Sequence, residues 1–301
     1  MLTKEKRGKG MQLKTMIYFN PKSGSGESQK IADKVETILK NRGLPVYQLK
    51  TSTKDEALKK IVLEAPNIDR IICIGGDGTI NVLVTALLRG KVRVPIGIIP
   101  TGTVNNFAHK WKISDNIDEA VKTILRGRLQ SVDIGECNGQ AIISSLVFGS
   151  LADISNEVRQ TEKQKYGFAA YGYNAIRQIG KNSSHQTLLF NKTFSMSAKV
   201  WVCLMTTSNY VGGRKYLGET EDGLHLTMLN DMKVNKLLNL GYFALTGNLR
   251  KSTTLTTFDI KEIVVRNIEG EMLETRIDGD KGPKLPVKIK WLPKRVQLYV
   301  D

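Results

Sequence analysis

Cysteine is scarce in this chain. Its three cysteines, Cys73, Cys137 and Cys203, are scattered through apolar or strand-like settings. No spacing suits a metal site or a disulfide framework, and the pattern fits a reduced, intracellular protein. Histidine is equally rare, and neither His185 nor His225 has a recognisable partner in the sequence, so both read as structural or exposed. No apolar run approaches the ~18–20 residues needed to span a bilayer. Acid is short relative to base: 29 Asp and Glu stand against 45 Lys and Arg, a formal net charge of +16. Such an excess points to an anionic partner. No helix-turn-helix, zinc-finger or aromatic–basic RNA-binding pattern is present, which argues against nucleic acid. A phosphorylated ligand and an anionic membrane surface remain, the latter gaining about 1 kcal/mol per surface-facing Lys or Arg.

What is present is led by Ile71-Ile72-Cys73-Ile74 running directly into Gly75-Gly76-Asp77-Gly78-Thr79. An unbroken apolar run suits a buried parallel strand, and the glycines allow a sharp turn that a ligand can approach closely. Thr79 is expected to cap the following helix, marked by Ile80, Val82, Leu83, Leu87 and Leu88. Main-chain N–H groups at such a start favour phosphate. Asp77 among them would repel phosphate unless Mg²⁺ or an ordered water mediates. The plainer alternative is an ordinary βα turn with a capping Asp.

The first part of the chain alternates strand and helix patterns. Thr15–Asn20, Pro45–Lys50, 69–74 and 94–99 read as strands. Helices are expected around Ile31–Leu39, after the capping box Thr53-x-x-Glu56, after Thr79 and over 116–126. This alternation predicts an α/β domain with a mostly parallel sheet. Three loops would share the carboxyl edge of that sheet: Asn20-Pro21-Lys22-Ser23-Gly24-Ser25-Gly26, Gly75–Thr79 and Pro100–Asn106. All three offer backbone donors and hydroxyls, as a nucleotide's phosphates require. The first lacks the Gly-Lys-Ser/Thr of a Walker A loop.

After Asp133-Ile134-Gly135 the pattern changes to short strands at 141–148, 187–190, 194–206, 224–230, 253–260, 262–267, 271–277 and 286–290. That predicts an antiparallel β-sandwich, interrupted by helices at about 155–180 and 233–246. The expected organisation is a basic tail over 1–13, a nucleotide-binding α/β domain over 14–136 and a β-sandwich over 137–301. Met11 and Met16 are alternative starts, and the last strand is free to return to the first domain.

From about residue 14 to 300 the ordered motifs resemble the diacylglycerol-kinase catalytic family of bacterial soluble lipid kinases, related to sphingosine kinases. The carriers are Asn20-Pro21-x-Ser23-Gly24, Gly75–Thr79, Pro100-Thr101-Gly102-Thr103-x-Asn105-x-Phe107-Ala108, Val132-Asp133-Ile134-Gly135 and Lys165-x-Gly167-x-x-Ala170-Tyr171. Glu221-Asp222-Gly223 and Ile277-Asp278-Gly279-Asp280 follow. The resemblance implies a Rossmann-like domain followed by a β-sandwich domain, with ATP bound between them and phosphate moved to a lipid hydroxyl such as that of diacylglycerol. It assigns Asp278 as general base. It places the triphosphate on Asn20, Pro21, Ser23, Gly24, Gly75–Thr79, Thr101, Gly102, Thr103 and Asn105. Asp77, Asp133 and Asp280 would organise Mg²⁺, and a peripheral cytoplasmic enzyme at an anionic membrane is implied, with a homodimer left open. On residues alone, Asp278–Asp280 also fits a hairpin turn and Lys30 a solvated helix surface.

This sequence departs from the family at several positions. Asn106 and His109 stand where the family carries Asp and Arg, removing one acid and one guanidinium. Tyr216–Thr220 replaces a Pro-Asp-Ala segment, leaving Glu219, Glu221 and Asp222 as substitute ligands for a structural Mg²⁺. Ile143-Ser144-Ser145 replaces an Asn-containing stretch, and the Tyr166–Tyr173 cluster fits a lipid cleft or core equally well. Two other readings stay open: an NAD kinase, which shares the Gly-Gly-Asp-Gly-Thr loop, and a nucleotide- or lipid-binding protein that has lost catalysis.

Overall fold

The computed structural model describes residues 13–21, 26–149, 184–207, 210–211, 214–215, 223–229, 255–270 and 272–301. The expected helices at 155–180 and 233–246, the Tyr166–Tyr173 cluster, Ser23, Gly24, Glu219, Glu221 and Asp222 lie outside the described residues. The chain divides into two compact units, Met1–Val132 with Lys294–Asp301, and Asp133–Pro293.

In the first unit strands and helices alternate: β1 (Thr15–Phe19), α1 (Ser28–Lys40), β2 (Val46–Lys50), α2 (Lys54–Glu64), β3 (Arg70–Gly75), α3 (Asp77–Arg89), β4 (Ile96–Pro100), α4 (Asn106–Lys110) and α5 (Ile117–Arg126). The strands pair in parallel in the order β2-β1-β3-β4. Every residue of β1, β3 and β4 is buried, because helices cover both faces of a parallel sheet. That is why these strands carry continuous apolar runs and not alternation. The capping box at α2 forms: Thr53 Oγ1 accepts from Glu56 N (3.2 Å), and Glu56 Oε2 accepts from Ser52 N (2.8 Å). Asn116 caps α5 by accepting from Asp118 N and Glu119 N, and Gly127, at φ +79°, ends it.

Two strands link the units along the chain. β5 (Leu129–Cys137) leads into the second unit, and β18 (Val287–Tyr299) leads back. Within the first unit the end of β18 lies parallel to β4, with Leu298 opposite Ile96. Asp301 accepts hydrogen bonds from the Thr123 hydroxyl (2.8 Å) and from Arg126. Tyr299 lies beneath the guanidinium of buried Arg70, 5.9 Å from ring centre to carbon.

The second unit adds β6 (Gln140–Ile142), β7 (Ser145–Phe148), β8 (His185–Phe190), β9 (Ser195–Val200), β10 (Val202–Thr206), β11 (Tyr210–Val211), β12 (Arg214–Lys215), β13 (Leu224–Leu229), β14 (Leu255–Ile260), β15 (Glu262–Asn267), β16 (Glu274–Ile277) and β17 (Asp280–Lys284). One antiparallel sheet runs β14-β13-β10-β7-β16-β17. The other joins the first half of β18 to β15, β8 and β9. Phe148, Cys203, Met205 and Leu226 of the first sheet pack with Leu189, Ile263 and Ile289 of the second, the inner faces of a sandwich. The fold class is the expected one, α/β with a parallel sheet followed by antiparallel sheets.

Several expected elements differ in detail. The single strand expected at 141–148 is interrupted at Ile143-Ser144, and that at 194–206 divides at Trp201. α4 and β17 were not expected, and the strand expected at 286–290 runs on to Tyr299. His185 and His225 are both buried, and His225 has a partner across the sheet: its Nδ1 lies 2.6 Å from Asp259 Oδ1.

Candidate functional site

The order β2-β1-β3-β4 reverses direction between β1 and β3, and open α/β sheets bind ligands beyond the carboxyl ends of the strands at such a point. The segment after β1, opening at Asn20 and Pro21, and the Gly75–Thr79 turn after β3 flank this position. The Gly75 turn is built by steric exclusion. A Cβ on Gly75 would fall 2.5 Å from the Cβ of Thr79, whose side chain is buried against the turn. The helix begins at Asp77 with Gly76 at its N-cap, so Thr79 does not cap it. The expectation fails because Thr79 belongs to the first helical turn and its side chain packs inward.

Gly76 and Gly102 press the second and third loops together. A Cβ on Gly102 would lie 2.6 Å from Gly76 Cα, and one on Gly76 would lie 2.9 Å from Gly102 Cα. The Thr101 N–H donates to Gly75 O (3.2 Å) beside this contact. Asp77 spans the same junction: its two carboxylate oxygens accept from Asn106 N and Phe107 N, each at 3.0 Å. Asp77 therefore caps α4 and ties the Gly75 turn to the loop after β4. Asn105, left-handed at φ +52° and buried, accepts from Gly102 N and donates to Gly102 O, both at 3.0 Å. Its amide also donates to Asp115 Oδ1 (3.2 Å), while Asp115 Oδ2 lies 2.8 Å from His109 Nε2. Asp115 thus supplies a carboxylate beside His109. Nothing in the sequence marked it, because it sits ten residues from Asn105 in an unpatterned loop.

Among the described residues the Thr101 hydroxyl is buried without a hydrogen-bond partner. A donor left unspent between glycines that leave no side chain in the way fits a loop shaped for an anionic oxygen. Thr103 and Gly78 are exposed on the same two loops, and Lys30 is exposed on α1.

In the second unit Asp278 and Gly279 form the two-residue turn joining β16 to β17, at φ +51° and +92°. Positive φ at both positions makes this a type I′ hairpin turn, as the plainer reading of Asp-Gly expects. The turn also does more. Asp278 Oδ1 accepts from Ser144 N (2.8 Å) and Ser145 N (2.9 Å), and Oδ2 accepts from Ile143 N (3.0 Å). The Asp278 N–H donates to Ser145 O (2.8 Å). These contacts explain the interruption between β6 and β7, where the amides of 143–145 turn to the carboxylate. A carboxylate held by three main-chain donors has its orientation fixed by backbone and not by rotamer preference.

The three expected metal-organising acids are distributed as follows. Asp77 lies in the first unit; Asp133, half-buried on β5, and Asp280, exposed at the start of β17, lie in the second. Among the described residues no three His, Cys, Asp or Glu side chains cluster as a metal cage. Mg²⁺ in general keeps several waters and binds through one or two carboxylates plus substrate phosphates.

Comparison with known proteins agrees with this architecture. Residues 14–137 match the family model of the diacylglycerol kinase catalytic domain. The chain is 27% identical over 278 residues to a diacylglycerol kinase of Bacillus subtilis, covering 90% of each protein. It is 24% identical over 298 residues to a diacylglycerol kinase of Staphylococcus carnosus, covering 96% of this chain and 95% of that one. A crystal structure of a diacylglycerol kinase from Bacillus anthracis superposes with a TM-score of 0.72 at 20% identity, covering 96% of this chain and 97% of that one. At that identity the likeness concerns the fold. Residues 14–137 are thus similar to the diacylglycerol kinase catalytic domain, and the chain resembles diacylglycerol kinases over nearly its whole length.

Proposed function

We propose that the protein is an ATP- and Mg²⁺-dependent lipid kinase that transfers the γ-phosphate to a lipid hydroxyl, with diacylglycerol as acceptor. The observation that carries this reading is the Asp278 carboxylate, fixed by three backbone amides on a hairpin turn, in a chain whose first domain matches a kinase family. Phosphoryl transfer needs positioning and charge stabilisation more than covalent chemistry by the protein. Asp278 accepts the proton of the acceptor hydroxyl as its oxygen bonds to phosphorus, and the leaving group is ADP. The loops at Asn20–Gly24, Gly75–Thr79 and Thr101–Asn105 hold the triphosphate through main-chain N–H groups and the Thr101 hydroxyl. Mg²⁺, when bound, neutralises charge on the phosphates, with Asp77, Asp133 and Asp280 the side chains available to orient its waters.

A second reading, a binding protein without catalysis, is motivated by Asn106 and His109, which replace the family's Asp and Arg. Against it, Asp115 places an acid beside His109. The decisive assay is transfer of labelled γ-phosphate from Mg-ATP to a panel of lipid alcohols in mixed micelles, with NAD alongside. A phosphorylated lipid that is absent with Asp278→Asn supports the kinase. No lipid product despite bound ATP leaves the binding protein, and a sharp gain on Asn106→Asp with His109→Arg identifies a lapsed enzyme. Phosphorylated NAD overturns both.

A further inference from the structure

We infer that the outer face of the β18-β15-β8-β9 sheet is the surface with which this protein docks on an anionic lipid bilayer. Strand residues alternate between the two faces of a sheet. Ile289, Val265, Leu189 and Val200 point into the sandwich core, so the intervening residues form the opposite face. Its centre is apolar: Val264 on β15 is opposite Phe190 on β8, and Leu188 follows two residues earlier; all three are half-buried. Cations surround that centre. Lys288 is opposite Val264, Lys290 is opposite Glu262, Arg266 is opposite Leu188, and Lys199 is opposite Gln186. Lys192, in the turn joining β8 to β9, lies close enough to Glu262 to help hold that carboxyl below its usual range, after the Lys288 hydrogen bond that dominates. Glu262 is the only acid among the outward residues of these strands.

An apolar centre ringed by five cations and one acid selects its partner by charge. A second copy of the chain would oppose five cations to five, and the strand face has no aromatic series on which bases could stack. An anionic bilayer satisfies both parts: Lys and Arg reach headgroup phosphates while their stems and the apolar centre meet the acyl boundary. The face lies on the unit that carries Asp278. The lipid-kinase reading gives this docking its purpose, but binding itself requires no turnover.

The test is co-sedimentation of the full chain with vesicles of phosphatidylcholine alone and of phosphatidylcholine mixed with phosphatidylglycerol. The triple variant Lys192→Glu, Lys199→Glu, Arg266→Glu changes exposed residues only. At roughly fivefold in partition per charge, it is expected to bind the mixed vesicles at least about a hundredfold more weakly. The control Lys54→Glu, Lys59→Glu, Arg93→Glu removes the same charge from exposed positions of the first unit and is expected to keep most of the binding. Phe190→Ser is expected to weaken binding without changing its salt dependence. Equal binding to neutral and mixed vesicles, equal losses in both triple variants, or a change of oligomeric state in place of vesicle binding would each overturn the inference. Intact vesicle binding without phosphorylated lipid would sink the kinase reading alone, whereas turnover of a dispersed short-chain acceptor without vesicle binding would sink this inference alone.

Discussion

Asp77 and Asp278 are each followed by glycine at the end of a strand, and their surroundings assign them different work. Asp77 faces two amides of one short helix, and Asp278 faces three amides of an interrupted strand. For Asp278→Asn, the remaining oxygen can take the Oδ1 place and keep the Ser144 and Ser145 amides, so that the Ile143 N–H alone faces the new NH₂ group. Transfer to lipid is expected to fall by about 10²–10⁴-fold while circular dichroism stays native. Asp278→Ala strands all three amides and should in addition lower the unfolding temperature. The glycine pair offers a steric test. Gly102→Ala sets a methyl group against the Gly76 backbone, which cannot rotate away, and should destabilise by about 1–3 kcal/mol in chemical denaturation. Gly127→Ala meets nothing within 4 Å and costs only its left-handed φ, about 1 kcal/mol. A Gly102→Ala variant no less stable than Gly127→Ala would refute the close approach.

At the scale of elements, the legible ones are those whose side chains report their surroundings. β3 reads as Ile-Ile-Cys-Ile because both of its faces are covered, and α2 announces itself through Thr53 and Glu56. α4 was illegible because its N-terminus is secured from outside, by Asp77 nearly thirty residues earlier, and no local residue caps it. The break at Ile143-Ser144 is hidden for the same reason: its cause, Asp278, lies more than 130 residues away. The site followed that pattern. Motif positions stood out in the sequence, whereas Asp115 and the amides of 143–145 emerged only with the backbone folded. α4 has five residues and little stability of its own. Asp77→Ala should therefore release it, costing about 0.5–2 kcal/mol in the absence of any nucleotide. An unchanged unfolding temperature without ligand would assign Asp77 to the ligand alone.

At the scale of the molecule, the first unit is built from both ends of the chain. Deleting 294–301 removes Leu298 from beside β4, Tyr299 from beneath Arg70, and the Asp301 contacts with Thr123 and Arg126. The truncated chain is expected to lose cooperative unfolding of the first unit, visible in calorimetry as a missing transition. Acid acts through related contacts. Asp33, Glu56, Glu262 and Asp301 are held below the ordinary carboxylate range, chiefly by Gln48, Lys60, Lys288 and the Thr123 hydroxyl respectively. Groups depressed on folding stabilise above their unfolded pKa and lose that contribution as pH falls through the folded value. The unfolding temperature should thus be level near neutrality and decline below about pH 4. A rise on acidification from pH 5 to 3 would contradict these contacts.

Because residues 294–301, which complete the first sheet, follow the whole second unit, a ribosome making this protein has the 161 residues 133–293 to add after Val132 before it reaches them. At about 5–20 residues per second that interval is on the order of ten seconds or more. Throughout it the growing chain carries an unfinished β4 edge, which residues 294–301 later close. Chaperone dependence during synthesis, relieved by circular permutation that places 294–301 ahead of β1, follows from that order of manufacture.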